Sequence, residues 1–224
     1  MAKNNQKETQ QEQVATTVSG VEEFFKKNQK WIELGVLAVL VIVLGFLAYN
    51  RWVAEPAKQE AQGQMFQAEQ EFRAGDFETA LNGDGNVLGF ADIITSYGSK
   101  AGKSAWLYAG ICSLQLGDNE GAIGYLRKYS TRDKIMQGRA WCALGDAYSN
   151  LQDYKQALNW YKKAAALEEN EYAATYLFKA AIVSEELGDN AGALKLYKEI
   201  ETKYPQTMEG YDIQKYISRI ENQQ

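Results

Sequence analysis

A short run of alternating asparagine, glycine and aspartate residues, Asn82-Gly83-Asp84-Gly85-Asn86, is the first candidate for metal chemistry in this sequence. Carboxylate and amide oxygens are the ligands that calcium prefers, and a twelve-residue calcium loop also needs glycine at its sixth position and a bidentate glutamate at its twelfth. Counted from Asn82, those two positions hold Val87 and Ile93. The segment therefore predicts a tight turn, which these residue types favour, and no metal site.

Cysteine and histidine chemistry is nearly absent from the sequence. There is no histidine, which is the usual general base and the commonest metal ligand, and Cys112 and Cys142 are the only cysteines. No cysteine pair has zinc-ligand spacing, and neither a phosphate-binding glycine loop nor a nucleophile elbow is present. We therefore expect no cofactor and a function other than catalysis. A disulfide between the two cysteines remains open for an exported domain, although free, buried thiols are favoured.

The elements that carry these residues follow a pattern that is clearest from Gly138 to Glu171. Small, aromatic and leucine residues occur there at regular helical spacing: Trp141, Leu144, Gly145, Tyr148, Ala157, Tyr161 and Ala164. This is the signature of the 34-residue tetratricopeptide repeat, a hairpin of two antiparallel helices. Its small residues let the two helices approach closely, while the aromatic and leucine residues fill the space between them. Because one hairpin cannot bury its apolar face alone, the pattern predicts neighbouring repeats.

Two further copies flank this repeat. A shift of 35 residues places Ala157 on Ala122, and a shift of 36 places it on Ala193. The same turn lies between the two helices of each copy: Leu116-Gly117-Asp118-Asn119, Leu151-Gln152-Asp153-Tyr154 and Leu187-Gly188-Asp189-Asn190. We expect the second residue of each turn to be left-handed, because helices commonly end in that conformation.

The whole chain is predicted to be all-α, with a single N-terminal transmembrane helix, an α-solenoid of about four tetratricopeptide-like helical hairpins and a C-terminal capping helix. The repeat domain is expected over residues 54–224, with repeats near 57–98, 103–136, 138–171 and 174–207 and the cap at 208–222. The first repeat is degenerate, because the insertion at Asn82 interrupts its second helix. Atypical terminal repeats are expected in such stacks.

The segment before the repeats contains a long apolar stretch. Residues 1–30 predict a disordered, polar tail that ends in a short helix at a membrane surface. Residues 31–53 are long enough to cross about 30 Å of hydrocarbon, with Trp31, Tyr49 and Trp52 at the ends as interfacial aromatics. A buried core helix and a cleaved signal peptide are the alternatives. An uncleaved signal anchor is favoured, because a polar tail precedes the stretch and no small-residue cleavage site follows it.

The lysines around this stretch predict its orientation. Lys26, Lys27 and Lys30 precede it, whereas Arg51 and Lys58 follow it. By the positive-inside rule the tail stays in the cytoplasm and the repeats are exported. In a Gram-negative bacterium this makes a single-pass inner-membrane protein with a periplasmic C-terminal domain. The net charge of -5 gives no reason to expect a nucleic-acid partner, and no small-molecule substrate is expected either.

The first helices of stacked repeats line a concave groove, which is the predicted binding site. The residues expected to line the groove are Leu107, Ile111, Leu114, Asp146, Asn150, Phe178, Ile182 and Glu185. The lysine and asparagine clamp that binds carboxylates in some repeats of this kind is absent. The groove is apolar at both ends and carries acids at Asp146, Glu185 and Glu186, which would favour an apolar or basic peptide. In the alternative interpretation, the curvature of the stack or the N-terminal helix covers Leu107, Ile111 and Phe178.

Together, the apolar stretch Trp31 to Tyr49, the insertion at Asn82 to Asn86 and the segment Ala140 to Tyr148 resemble the YfgM-like family of ancillary translocon subunits, including its Bacteroidetes-type relatives. The resemblance covers nearly the whole chain. It implies association with the SecYEG channel and with a membrane-anchored periplasmic prolyl isomerase, and a holdase-like role toward exported chains. A structural scaffold that joins envelope complexes through its outer surface is the other function that the pattern allows.

Overall fold

The structure is a computed structural model that describes the backbone of residues 2–222 and the side chains of residues 26–222. All regular elements in the described range are helices, so the predicted all-α class is confirmed. The chain forms two compact units, which divide after Pro56.

The N-terminal unit consists of helix α1, Ala2–Tyr49, and a π-helical turn, Asn50–Ala54. The large apolar side chains between Leu34 and Val53 are exposed, and by length and composition this helical region could cross a membrane. The π turn lies just before Pro56, which has no backbone N–H to donate to an α-helical partner. The predicted disorder of the polar tail concerns residues whose side chains lie outside the described ones, and it stays a prediction.

The C-terminal unit begins with an irregular hairpin. Its first helix is α2, Glu55–Ala74, and its second is divided into α3, Phe77–Asn82, and α4, Phe90–Tyr97. The insertion between α3 and α4 is the predicted tight turn, because the Asp84 carboxylate accepts hydrogen bonds from the backbone N–H groups of Asn86 and Val87 at 2.8 Å each. The fully buried side chain of Phe90 joins α4 to a core that includes Met65 of α2.

Three regular hairpins and a last helix follow. Their helices are α5, Lys103–Gln115, and α6, Asn119–Leu126; α7, Lys134–Asn150, and α8, Tyr154–Ala165; α9, Tyr172–Glu186, and α10, Asn190–Lys203; and finally α11, Met208–Glu221. In each hairpin the first helix packs on the second, and the second packs on the first helix of the next hairpin. The buried residues Ile213, Ile217 and Ile220 attach α11 to the core of the last hairpin. The predicted solenoid and its capping helix are therefore confirmed.

Small residues lie where the two helices of a hairpin touch. A Cβ atom added to Gly145 of α7 would collide with the ring of Tyr161 on α8, and one added to Gly110 of α5 would collide with Leu126 on α6. Ala157 has no exposed surface. These are the close contacts that the repeat pattern predicted, and they fix how each hairpin folds.

The turn between the two helices has the same construction in all four hairpins. A residue with positive φ, Gly75, Gly117, Gln152 or Gly188, is followed by an aspartate that caps the second helix. In the third turn, for example, the Asp153 carboxylate accepts a hydrogen bond from the N–H of Gln156 at 3.2 Å. The predicted left-handed turn residue is confirmed in each copy, and aspartate is a preferred residue for the cap.

Candidate functional site

The predicted groove residues lie on the first helices α5, α7 and α9. We call the solvent-exposed surface of these three helices the first-helix face. Leu107 does not belong to this face. Only 4% of its surface is exposed, and it lies in a buried cluster with Leu126 of α6 and Leu144 of α7. The prediction that Leu107 contacts a bound peptide is therefore corrected, because the second helix of its own hairpin and the next first helix cover it.

The other apolar groove residues differ in their exposure. Ile111 and Leu114 are half-buried and pack against the same cluster as Leu107. Phe178 is covered in part by the capping helix, because its ring lies edge-on to Tyr216 at 4.9 Å between centroids. Ile182, by contrast, is 39% exposed. Coverage by the stack, which the sequence left as an alternative, thus applies to Leu107 and partly to Phe178.

Asp146 is held by two partners on neighbouring helices. The Tyr161 hydroxyl of α8 donates a hydrogen bond to the Asp146 Oδ1 atom at 2.7 Å, and Lys179 Nζ of α9 lies 2.6 Å from the same oxygen. The carboxylate therefore ties α7 to its own second helix and to the first helix of the next repeat. Such charge-assisted hydrogen bonds are stronger than neutral ones.

Glu185 repeats this arrangement one hairpin later. The Tyr197 hydroxyl of α10 donates to Glu185 Oε1 at 2.6 Å, and Arg219 Nη2 of α11 reaches the two carboxylate oxygens at 2.7 and 2.6 Å. We call the two sets, Tyr161–Asp146–Lys179 and Tyr197–Glu185–Arg219, the triads. Two of the acids expected on this face, Asp146 and Glu185, are thus each paired with a cation of a neighbouring helix.

The surroundings keep the tyrosine and cysteine groups near the triads protonated at neutral pH. Burial and then the hydrogen bond to Glu185 raise the pKa of Tyr197, and burial and the charge of Asp146 do the same for Tyr161. Burial opposes the charge of Lys179, but the Asp146 carboxylate, which is hydrogen-bonded to it, leaves the lysine pKa raised. The tyrosines therefore donate hydrogen bonds, and the lysine is an ammonium group.

Two further polar contacts join helices of neighbouring repeats. The Asn150 side-chain amide donates to Asn119 Oδ1 at 2.9 Å, which links the end of α7 to the start of α6. The Thr175 hydroxyl donates to Glu209 of α11 at 2.6 Å. Asn150, like the two acids, is thus engaged within the protein itself.

Sequence reasoning missed the two cations of the triads. Lys179 follows Asp146 by 33 residues and Arg219 follows Glu185 by 34, which is close to one repeat length. A search for opposite charges separated by about one repeat, allowing one helical turn either way, would have found these pairs, because neighbouring repeats contact each other.

Neither cysteine is placed for chemistry. Cys112 and Cys142 are free and buried, and burial raises the pKa of each thiol to about 12, with Asp146 adding to the effect at Cys142. Among the described side chains, no group of three or more cysteine, aspartate or glutamate residues is arranged to hold a metal ion.

Comparison with known proteins identifies the hairpins. Tetratricopeptide repeat models match residues 138–171 and residues 175–207. No curated protein matches the chain. Among solved structures, a crystal structure of MamA protein shares 18% identity and superposes with a TM-score of 0.56 over 72% of this chain and 86% of that one. A second MamA crystal structure shares 18% identity with a TM-score of 0.54, over 69% of this chain and 92% of that one.

The identity to MamA is low, so this likeness shows the fold alone. The matched hairpins and the repeated packing agree with each other, and repeats of this kind build extended surfaces for binding other proteins. The chain therefore carries tetratricopeptide repeats, which form a protein–protein interaction module.

Proposed function

We propose that this chain is a membrane-anchored binding module that holds apolar segments of exported polypeptides, or chaperone partners, on its first-helix face. The observation that carries the proposal is the character of one position in three successive repeats. It holds Ile111, Asp146 and Ile182. Ile111 is half-buried, Ile182 is 39% exposed, and Asp146 is paired with Lys179. An apolar segment meets apolar side chains there without having to neutralise a free charge.

The cellular setting of the proposal comes from the N-terminal unit and the family resemblance. The apolar helix would anchor the protein in a bacterial inner membrane, with the tail in the cytoplasm and the repeats in the periplasm. An accessory role at the Sec translocon follows, with SecYEG, a membrane-anchored periplasmic prolyl isomerase and exported chains as partners. The lysines before the apolar stretch support this orientation.

Crosslinking in intact cells tests where partners bind. A photoreactive residue replaces Ile182 on the first-helix face, and a second variant carries it at Lys155, an exposed residue of α8. Capture of varied exported chains or translocon subunits from Ile182, and much less from Lys155, is the expected result. Equal capture at the two sites, or none at Ile182, would refute binding at this face.

A matched pair of substitutions separates binding from folding. Ile182 and Leu187 belong to α9 and its C-terminal cap and are 39% and 37% exposed, so a glutamate at either place should be tolerated similarly by the fold. Ile182→Glu should reduce client capture, because it puts an unpaired charge on the apolar surface, whereas Leu187→Glu should not. Equal loss in both variants would show that the face is not specific.

A structural scaffold is the second candidate, and a separate set of exposed side chains favours it. Ile135, Tyr172, Met208 and Tyr211 lie near the starts of α7, α9 and α11, and Met208 and Tyr211 are 87% and 76% exposed. A fixed partner that covers them would make the protein an assembly factor for an envelope complex. Tyr211→Glu should then abolish recovery of one constant partner while client capture at Ile182 persists.

A further inference from the structure

An open cleft in the last two hairpins is lined by residues of the second helices α8 and α10 and by Leu177 of α9. It encloses about 520 Å³, and its floor is apolar, with Leu177 and Leu196 at the base and Ala165 on one wall. The exposed residue Ala166 also lines it, so the cleft is open to solvent along its side. This volume lies within the range of pockets that bind ligands.

The preceding pair of hairpins explains why the cleft exists. Trp141 and Trp160 occupy the positions that Leu177 and Leu196 take 36 residues later. Their rings lie 6.4 Å apart, and the ammonium group of Lys163 lies over both, at 4.9 and 4.7 Å from the ring centroids. Between α8 and α10 the smaller leucines leave the corresponding space unfilled. The cleft thus results from leucines at two repeat positions, 177 and 196, that hold tryptophans in the preceding repeat.

The charges around the cleft are unevenly distributed. Towards the end of the cleft near Tyr204, Lys203 Nζ binds the Glu199 carboxylate at 2.8 Å. The Glu199 carboxylate and, to a smaller extent, the charge of Glu169 raise the pKa of Lys203. Earlier along the two helices, Lys162 of α8 and Lys195 of α10 also line the cleft. Among residues 26–222, neither of these two lysines has a carboxylate partner within 4.0 Å.

We propose that this cleft is a second protein-binding site, which takes an acidic peptide segment that also carries a large apolar side chain. The apolar side chain enters the space above Leu177 and Leu196, and carboxylates of the same segment pair with Lys162 and Lys195. An open cleft with cations on both walls suits an extended chain, which can enter from the side. Apart from Leu177 of α9 in its floor, the helical residues that line the site belong to the second helices α8 and α10, and the site includes none of the residues predicted to line the groove.

Fluorescence anisotropy with synthetic peptides tests the proposal on the full chain in an uncharged detergent. The probe is a labelled acetyl-Glu-Glu-Leu-Phe-Glu-Glu peptide. One comparison peptide replaces the glutamates with lysines, and another replaces Leu-Phe with Gly-Gly. Binding of the first peptide only, weakened by salt, is expected because apolar burial and charge pairing are both needed. Binding of either comparison peptide as tightly as the first, or no binding of the first, would overturn the proposal.

Charge reversal locates the peptide on the protein. The double substitution Lys162→Glu with Lys195→Glu should weaken binding of the acidic probe about tenfold or more, because it replaces two attractions with two repulsions. The matched control is Arg132→Glu with Lys155→Glu, which makes the same change in net charge at exposed residues outside the cleft. Equal weakening in the control would overturn the assignment to this cleft.

A second variant tests the shape of the site without altering its charge. Leu177→Trp with Leu196→Trp copies the pair that fills the preceding hairpins, and it should abolish probe binding while the thermal transition is retained. Ile182→Glu should leave probe binding unchanged, so failure of the first-helix proposal and failure of this one are distinguishable. Undiminished probe binding in the double tryptophan variant would refute insertion of an apolar side chain.

Discussion

Replacing Gln152 with glycine tests the turn on which the hairpins depend. Gln152 has a φ angle of 61°, whereas the equivalent residues Gly117 and Gly188 have 81° and 76°. A left-handed conformation costs an L-residue roughly 1–2 kcal/mol, and a glycine loses about 0.5–1 kcal/mol through the greater freedom of its unfolded chain. The midpoints of these two ranges differ by about 0.75 kcal/mol, and we expect Gln152→Gly to be more stable than the original protein by about this amount.

Gly188→Gln is the matched control for this substitution. A Cβ atom added at Gly188 meets no atom within 4 Å, so the new side chain has room and its cost is conformational only. We expect the control to lower the free energy of unfolding by an amount similar to the gain from Gln152→Gly. A higher free energy of unfolding in Gln152→Gly and a lower one in Gly188→Gln would then both come from the left-handed conformation of this turn residue.

Thermal unfolding followed by far-ultraviolet circular dichroism measures both shifts in the full chain in an uncharged detergent. For a domain of this size, these free energies correspond to a rise in Tm of about 1–4 °C for Gln152→Gly and a comparable fall for Gly188→Gln. Urea unfolding should show the same order of midpoints with an unchanged slope. A Tm that does not rise in Gln152→Gly, together with a tolerated Gly188→Gln, would refute the strain at this turn.

Three further outcomes are expected. Burial and a hydrogen bond to a carboxylate raise the pKa of Tyr197 above its usual 10.0, so the unfolded chain loses this proton at a lower pH than the folded one. The contribution of this group to the free energy of unfolding is therefore full below about pH 10 and falls as the pH rises. In urea titrations at increasing pH, Tyr197→Phe should show a smaller fall in that free energy. Because the Cys112 and Cys142 thiols are buried and burial raises the pKa of each to about 12, a thiol reagent at pH 8 should label them only after denaturant is added. Rapid labelling of the native chain would contradict their burial. Ala157→Trp should lower stability by about 1–3 kcal/mol in thermal unfolding, whereas Ala191→Trp at an exposed site of α10 should not; equal Tm values would contradict the close helix contact.

The features that the sequence predicted best are those that depend on one hairpin alone. Gly145, Ala157 and Tyr161 touch within a single helical pair, so their spacing along the chain determines their contact. The turn at Asp153 is also local, because the residue that caps the helix and the N–H that it binds are three residues apart. The periodicity of a repeat carries this information directly.

The features that the sequence did not predict depend on how neighbouring hairpins stack. Leu107 occupies a position that faces outward in an idealised repeat, but its burial is decided by α6 and α7 together. The pairing of Asp146 with Lys179 likewise requires the register between two first helices. A pattern that treats each repeat separately assigns the acids to a free surface, and only the stacked arrangement shows that they are occupied.

The triads also make the two ends of the stack physically different. Tyr161 and Tyr197 donate to the carboxylates in the last two hairpins, but the equivalent residue of the preceding hairpin is Leu126, which is buried among apolar side chains. The junction of α5 with α7 is therefore held by apolar packing, whereas charged groups add to the packing from α7 to α11. Removing one carboxylate, such as Glu185, would leave both a buried hydroxyl and a cation without a partner, so its cost exceeds that of a simple surface ion pair. A polypeptide on the first-helix face would thus meet an apolar surface near Ile111 and a charge-balanced, firmly joined surface beyond it.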